Sequence, residues 1–178
     1  MIKITDYIHC YENILDKDLC KEIIKNSKNI NFEKANTIDQ TDFRKCYSNW
    51  LDEKFNTDLH EAVGRMLQMY KKDHEYFGIG LLTIEDTGYE HLIYIGTQEG
   101  EYKEHVDHAD LYTRQLTCSF ILNDNYDGGD FVFFGGKYKI PPKTGSAVVF
   151  PSNFCFPHAV TPVTNGDRHA VITWIHRS

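Results

Sequence analysis

Residues 102–110 read YKEHVDHAD, and a second stretch about fifty residues on, His158 to Arg168, reads HAVTPVTNGDR. The reading of these two stretches together decides the fold. His105 and Asp107 are two apart, and side chains at i and i+2 of a β-strand leave the same face, about 7 Å of backbone apart. A distant strand carrying His158 supplies a third donor. Two imidazoles and a carboxylate on one side of a metal form a facial set that suits Fe(II) and leaves three positions open. Arg168 follows His158 across a turn signal, Pro162 and Asn165-Gly166, which is expected to bring a second strand back alongside. Its guanidinium would hold a carboxylate bidentately beside the metal. The pattern describes a site for iron and a dicarboxylic keto acid.

HVDHAD contains H-x-D twice, as His105/Asp107 and as His108/Asp110. The first pair follows Tyr102 in a strand pattern, whereas the second runs into the loop before Arg114, so the first is preferred. His108 and Asp110 are then loop residues at the mouth of the site. Alternation puts Arg168, Ala170, Ile172 and Trp174 on one inward, mostly apolar face, with His169 pointing away. A buried guanidinium requires an anionic partner, and if the protein provides none a ligand carboxylate would. Parity alone makes Tyr94 and Thr117 hydroxyl donors to the same ligand.

The rest of the chain frames this site. With 178 residues, 41% of them hydrophobic and 13% aromatic, a single globular domain spanning 1–178 is expected. Nineteen basic against twenty-six acidic residues give a net charge of −7, which does not favour nucleic-acid or anionic-membrane partners. No apolar run approaches the roughly 18–20 residues of a membrane span, and the N-terminal stretch lacks the apolar core of a secretory signal. Cys10, Cys20, Cys46, Cys118 and Cys155 are widely spaced with no C-x-x-C, which reads as reduced thiols in a cytoplasmic protein. Cys118 and Cys155 sit in apolar strand patterns.

Residues 1–12 read as an edge strand or extended arm. Asp16 is expected to cap a helix whose face carries Leu15, Leu19, Cys20, Ile23 and Ile24, ending by Asn26-Ser27 and Asn29. Residues 30–53 look polar and irregular, with Trp50 as the only large anchor. A second helix is expected from about Asn56-Thr57 to Tyr76, with Leu59, Val63, Met66, Leu67 and Tyr70 as its stripe. Strands follow at 80–85, 91–95, 115–122, 130–134, 146–150 and 168–175, bounded by turn residues. Helical support over about 1–78 and a strand core over about 79–178 make an α+β domain with a sandwich or barrel. The run from Asn123 to Gly128 imitates a calcium loop, but Phe134 stands where Glu is needed, so it reads as a hairpin turn with Gly128-Gly129 at positive φ.

These residues resemble the Fe(II)/2-oxoglutarate-dependent dioxygenases, in their prolyl-4-hydroxylase-like branch. The matching elements are Tyr102-x-x-His105-x-Asp107, Arg114-x-x-Thr117 leading to Leu122-Asn123, Gly128-Gly129-x-Phe131, Gly145 with Val148-Val149-Phe150-Pro151, and His158-Ala-Val-x-Pro162 through Gly166-x-Arg168 to Trp174. They cover roughly residues 90–176, in order. The resemblance implies a double-stranded β-helix, or jelly roll, with iron on His105, Asp107 and His158 and the far carboxylate of 2-oxoglutarate on Arg168. Tyr94 looks like the tyrosine of the strand entering the H-x-D motif. Ile121 stands where some relatives carry a second tyrosine. The implied chemistry is hydroxylation of an unactivated C–H, of a prolyl residue in a peptide or protein above all. It is coupled to decarboxylation of 2-oxoglutarate to succinate, with Fe(II), dioxygen as the second co-substrate and ascorbate as an accessory. The intact Asp107 argues against a halogenase. The alternatives are a nucleic-acid or small-molecule oxygenase on the same scaffold, or a non-catalytic jelly-roll metal-binding protein. Trp50, Tyr112 and Tyr138 are candidates to line a peptide groove.

Overall fold

The computed structural model describes residues 1–28, 32–35, 43–77, 84–108 and 113–177. Asp110, Tyr112 and most of the strand expected at 80–85 lie outside the described residues. Helix α1 (Lys17–Ser27) starts where its cap demands, the Asp16 carboxylate accepting from the Asp18 amide at 2.7 Å. Helix α2 (Asn56–Asp73) stops three residues earlier than expected. The strands in chain order are β1 (His9–Tyr11), β2 (Glu33–Lys34), β3 (Arg44–Lys45), β4 (Tyr47–Trp50), β5 (Ile84–Asp86), β6 (Glu90–Ile95), β7 (Glu101–His105), β8 (Arg114–Ile121), β9 (Asp127–Gly128), β10 (Phe131–Phe133), β11 (Tyr138–Ile140), β12 (Ala147–Pro151), β13 (His158–Val160), β14 (Val163–Asn165) and β15 (Asp167–Arg177).

All paired strands run antiparallel. The larger sheet has the order β1-β12-β8-β15-β6-β4-β2, with β5 beside β15, and the smaller has β11-β10-β13-β7-β3. From β6 to β15 the chain passes repeatedly between them: β6, β8, β12 and β15 lie in the larger sheet, and β7, β10, β11 and β13 in the smaller. That alternation is the winding of a double-stranded β-helix, the jelly roll. Within 30–53, the described residues are less irregular than their composition implies, since β2, β3 and β4 extend both sheets. Two- to four-residue polar strands carry too little alternation to be read from sequence. Trp50 is no buried anchor either, being 60% exposed.

Each face of the larger sheet has its own core. On β8, Leu116, Cys118 and Phe120 point to one side, where α1 contributes Cys20 and Ile23 and α2 contributes Leu59, Val63, Met66 and Tyr70. Ile121, Val148 and Phe150 face the other way, onto Phe131, Phe133 and Val160 of the smaller sheet. The helices thus cover a sheet apolar on both faces, which explains why β12 (Ala147-Val148-Val149-Phe150) reads as a continuous rather than alternating apolar run. All five cysteines are free thiols; Cys118 packs in β8 as expected, whereas Cys155 lies in the turn before β13, not in a strand. Among the described residues no helix is long and apolar enough to cross a membrane.

Gly128 and Gly129 do adopt positive φ, +70° and +59°. A Cβ on Gly128 would stand 2.2 Å from the Pro162 carbonyl oxygen, so the strand pair β9-β14 closes only around a glycine. The turn joins β8 to β10 across the two sheets rather than closing a hairpin.

Behind the larger sheet, His91 and His169 face each other with Nε2 and Nδ1 3.1 Å apart, so His169 does point away from Arg168. Burial first, then its neighbour, pushes the His91 imidazole down to about 3, and burial pushes His169 down to about 4. Both folded values lie below the unfolded value near 6.5, so the unfolded chain binds the extra protons. The associated stability is complete above pH 6.5 and is lost as pH falls toward 4. Between pH 7 and pH 5 each ring is expected to cost on the order of 2 kcal/mol. Urea midpoints at the two pH values check this, and His91→Gln is expected to flatten the dependence.

Candidate metal and co-substrate site

His105 ends β7, and His158 begins β13 as its direct antiparallel partner. The two imidazoles therefore meet because the strands pair, with ring centres 4.3 Å apart. Asp107 lies just beyond β7, in the loop, and not on the strand whose parity pointed to it. It still converges: its Oδ1 is 3.6 Å from His105 Nε2 and its Oδ2 is 3.5 Å from His158 Nε2. Donor atoms of all three residues lie within 4.8 Å of one another, and Asp107 and His158 are buried.

Backbone carbonyls orient both rings. His105 Nδ1 is 2.8 Å from the Lys103 oxygen, and His158 Nδ1 is 3.0 Å from the Phe156 oxygen. A carbonyl only accepts, so each Nδ1 carries the proton and each Nε2 turns its lone pair toward the common point. This is the tautomer a metal ligand needs, with its outer partner already in place. Phe133 and Phe150 pack against the His158 ring at 5.7 and 4.7 Å and keep that side dry.

Burial works against a charge on Asp107, but His158, His105 and the Thr117 hydroxyl outweigh it, and the carboxyl is held below its usual range. Burial, together with His158, pushes His105 down to about 4 despite the opposing pull of Asp107. The set thus offers two imidazole Nε2 atoms and a carboxylate, which fits a hard-to-borderline divalent ion such as Fe(II).

Thr117 occupies a place different from the one expected of a co-substrate donor. Its hydroxyl is 2.8 Å from Asp107 Oδ2 and 2.9 Å from Ser152 Oγ, so it stands behind the carboxylate and is not among the described residues lining the cavity. Thr117→Val is expected to weaken divalent-metal binding about 10- to 100-fold, the range for loss of an orienting partner. Calorimetric titration with Mn(II) or Co(II) measures it. Ser152, missed in the sequence, could have been found only from its pairing across β12 and β8.

Arg168 is 3% exposed on β15, opposite Tyr94 of β6 in register. Its strand does not return alongside β13, as the turn signal implied; β14 carries the chain across to the facing sheet. The guanidinium carbon stands 5.1 Å from the Tyr94 ring centre, Nε has no hydrogen-bond partner among the described residues, and the guanidinium acts on the nearby Tyr126 hydroxyl, opposing the upward push of burial there. A Cβ on Gly129 would come 3.2 Å from Arg168 Cδ, so that glycine makes room for the arginine stem. Arg168 and Tyr94 open into the same cavity of about 660 Å³ as His105, Asp107 and His158. A buried cation facing a cavity that also holds three metal-type donors can accept an anion long enough to span the two.

Of the doubled motif, His105 and Asp107 are in the cluster and His108 is exposed outside it, while Asp110 lies outside the described residues. Trp50 lines the cavity, and Tyr138, on the edge strand β11, does not.

Comparison with known proteins agrees with this geometry. Residues 90–176 match the model of the 2OG-Fe(II) oxygenase superfamily. A PKHD-type hydroxylase of Maricaulis maris is 39% identical over 80 residues, which cover 42% of this chain and 36% of that protein, so the chain spans little over a third of that relative. The viral collagen prolyl hydroxylase of Paramecium bursaria Chlorella virus-1 superposes with a TM-score of 0.74 at 18% identity over 97% of both chains. A Trichoplax adhaerens prolyl hydroxylase in complex with a hypoxia-inducible-factor peptide superposes with a TM-score of 0.75 at 18% identity, over 97% of this chain and 84% of that one. Residues 90–176 are thus similar to the 2OG-Fe(II) oxygenase superfamily, and the strand winding that carries them is shared with the solved prolyl hydroxylases.

Proposed function

We propose that the protein is an Fe(II)- and 2-oxoglutarate-dependent dioxygenase that hydroxylates an unactivated C–H bond, with a prolyl residue of a peptide or protein as the favoured substrate. The observation that carries this reading is the single cavity into which His105, Asp107, His158 and Arg168 all open. The two imidazoles and Asp107 would hold iron on one face. Arg168, with Tyr94 beneath it, would take the far carboxylate of 2-oxoglutarate, and Tyr126 would steady the guanidinium from behind. When bound, iron supplies oxygen activation coupled to decarboxylation of 2-oxoglutarate, with dioxygen consumed and ascorbate as an accessory reductant. The chain itself contributes ligand geometry, a buried anion receptor and water exclusion by Phe131, Phe133 and Phe150. The prolyl preference is supported by the hydroxylases and prolyl hydroxylases the chain resembles. Five free thiols favour a reducing compartment such as the cytoplasm, and continuous sheets from β1 to β15 favour one domain over 1–178.

The test is incubation with Fe(II), 2-oxoglutarate and oxygen, with and without proline-containing peptides, following succinate and the mass of the peptide. Succinate release stimulated by a peptide that gains one oxygen atom on proline supports the reading. Stimulation by an alkylated oligonucleotide instead would transfer the protein to the dealkylases.

A further inference from the structure

The mouth of the cavity is more cationic than the chain that surrounds it. A protein with a net charge of −7 places Arg44 and Arg114 on this rim, in addition to Arg168 inside. Among the described residues two carboxylates share the cavity wall with them, and one, Asp107, is engaged by the two imidazoles. The other, Glu90, acts electrostatically on both rim arginines, and among the described residues no carboxylate lies within ion-pair distance of either.

Each rim guanidinium lies over an aromatic ring. The Arg44 carbon stands 4.8 Å from the Tyr102 ring centre, with Nε donating to Cys46 Sγ at 3.1 Å. Tyr102 in turn stacks on His105, centres 3.5 Å apart and planes 17° apart. The Arg114 carbon stands 3.8 Å from the Trp174 ring centre, with Nη1 donating to the Asp107 carbonyl at 3.2 Å. A guanidinium that lies over a ring and is tied by one N–H to a neighbour has already lost much of its side-chain freedom and part of its hydration, and its remaining N–H groups are free to donate. That is a preformed receptor for a carboxylate arriving at the rim. Glu90 and the acidic surface oppose a continuous phosphate backbone, whereas a single carboxylate beside the reacting residue can be accommodated.

We propose that the substrate is an acidic peptide, with Asp or Glu flanking the residue that is oxidised, and that Arg44 and Arg114 read this charge as specificity residues. The proposal rests on the oxygenase reading of the cavity and deepens it. Basic peptides are excluded by the same two groups, since like charge brought to a partly desolvated rim is repelled.

The test uses fluorescein-labelled peptides of one length, with a central proline flanked by Asp, Asn or Lys. Anisotropy under argon with Mn(II) and 2-oxoglutarate gives binding, and succinate release with Fe(II) in air gives turnover. The Asp peptide is expected to bind at least about tenfold more tightly than the Lys peptide at low salt, the gap closing as ionic strength rises. Arg44→Gln should narrow the ratio, and Arg44→Gln combined with Arg114→Gln should bring it close to one. Equal binding of the three peptides, or a ratio unmoved in Arg44→Gln, overturns the proposal. So does inhibition by free aspartate at peptide-like concentration, which assigns the rim to a small acid, or tighter binding of a single-stranded oligonucleotide. Calorimetric 2-oxoglutarate binding, run in parallel, separates the two levels. If it persists while peptide charge has no effect, only the acidic-peptide proposal fails. If peptides order by charge but no succinate forms with any of them, it is the oxygenase reading that fails.

Discussion

Replacing His158 by alanine is expected to remove divalent-metal binding and, with it, all 2-oxoglutarate turnover. His158 is 2% exposed, its Nδ1 is committed to the Phe156 carbonyl, and its Nε2 points at the Asp107 carboxylate. No neighbour can take its place, because Phe131, Phe133 and Phe150 surround the ring. Since residues standing behind metal ligands already cost about 10- to 100-fold, removal of the ligand itself should weaken binding by at least about 100-fold. Titration with Mn(II) or Co(II) measures this apart from catalysis. The exposed His108, tried as His108→Ala, serves as the contrast: metal affinity there should stay at the wild-type value. Equal losses in both variants would mean that the second H-x-D pair, not the first, carries the metal.

Arg168→Ala is the second large effect, and it has two signs. Truncating one side of a buried charge pair costs about 2–5 kcal/mol, so 2-oxoglutarate binding should weaken roughly 30- to several-thousand-fold. The visible charge-transfer band of the Fe(II) complex under argon reports that loss, and it should reappear only at correspondingly higher 2-oxoglutarate. Without ligand the sign reverses. A buried guanidinium with an unpartnered Nε is a desolvation cost, so Arg168→Met should melt at or above the wild-type temperature in the apo form. Its melting temperature should then no longer rise when 2-oxoglutarate is added. A mutant destabilised in the apo form, with ligand-induced stabilisation intact, would remove Arg168 from the binding role.

The long elements and the metal-type residues were legible because each rests on a strong local signal. Asp16 caps α1 as its side chain dictates, and β6, β8, β12 and β15 announce themselves by apolar β-branched runs between turn residues. The triad residues converge as expected, yet for a different reason. Parity placed His105 and Asp107 on one strand, whereas cross-strand pairing places His105 against His158 and the loop folds Asp107 into line. Thr117 shows the limit of parity: the correct face of β8 puts it behind Asp107, and a sequence cannot say which of two polar targets on one face a hydroxyl meets. Arg44, Cys46 and Tyr126 gave no sequence signal. Their roles arise from contacts across short segments, β3 and the connection after β8, whose local composition is that of any loop.

The pairing of His105 with His158 has a consequence for how the molecule melts. A cation held there would fasten the ends of two neighbouring strands and the loop after one of them, all of which the unfolded chain scatters over more than fifty residues. Binding that is absent from the unfolded state adds stability as the logarithm of occupancy, about 2.7 kcal/mol at a free-metal level one hundred times the dissociation constant. The denaturation temperature therefore becomes a gauge of iron supply, and starvation for the metal would leave a looser protein for cellular proteases to clear.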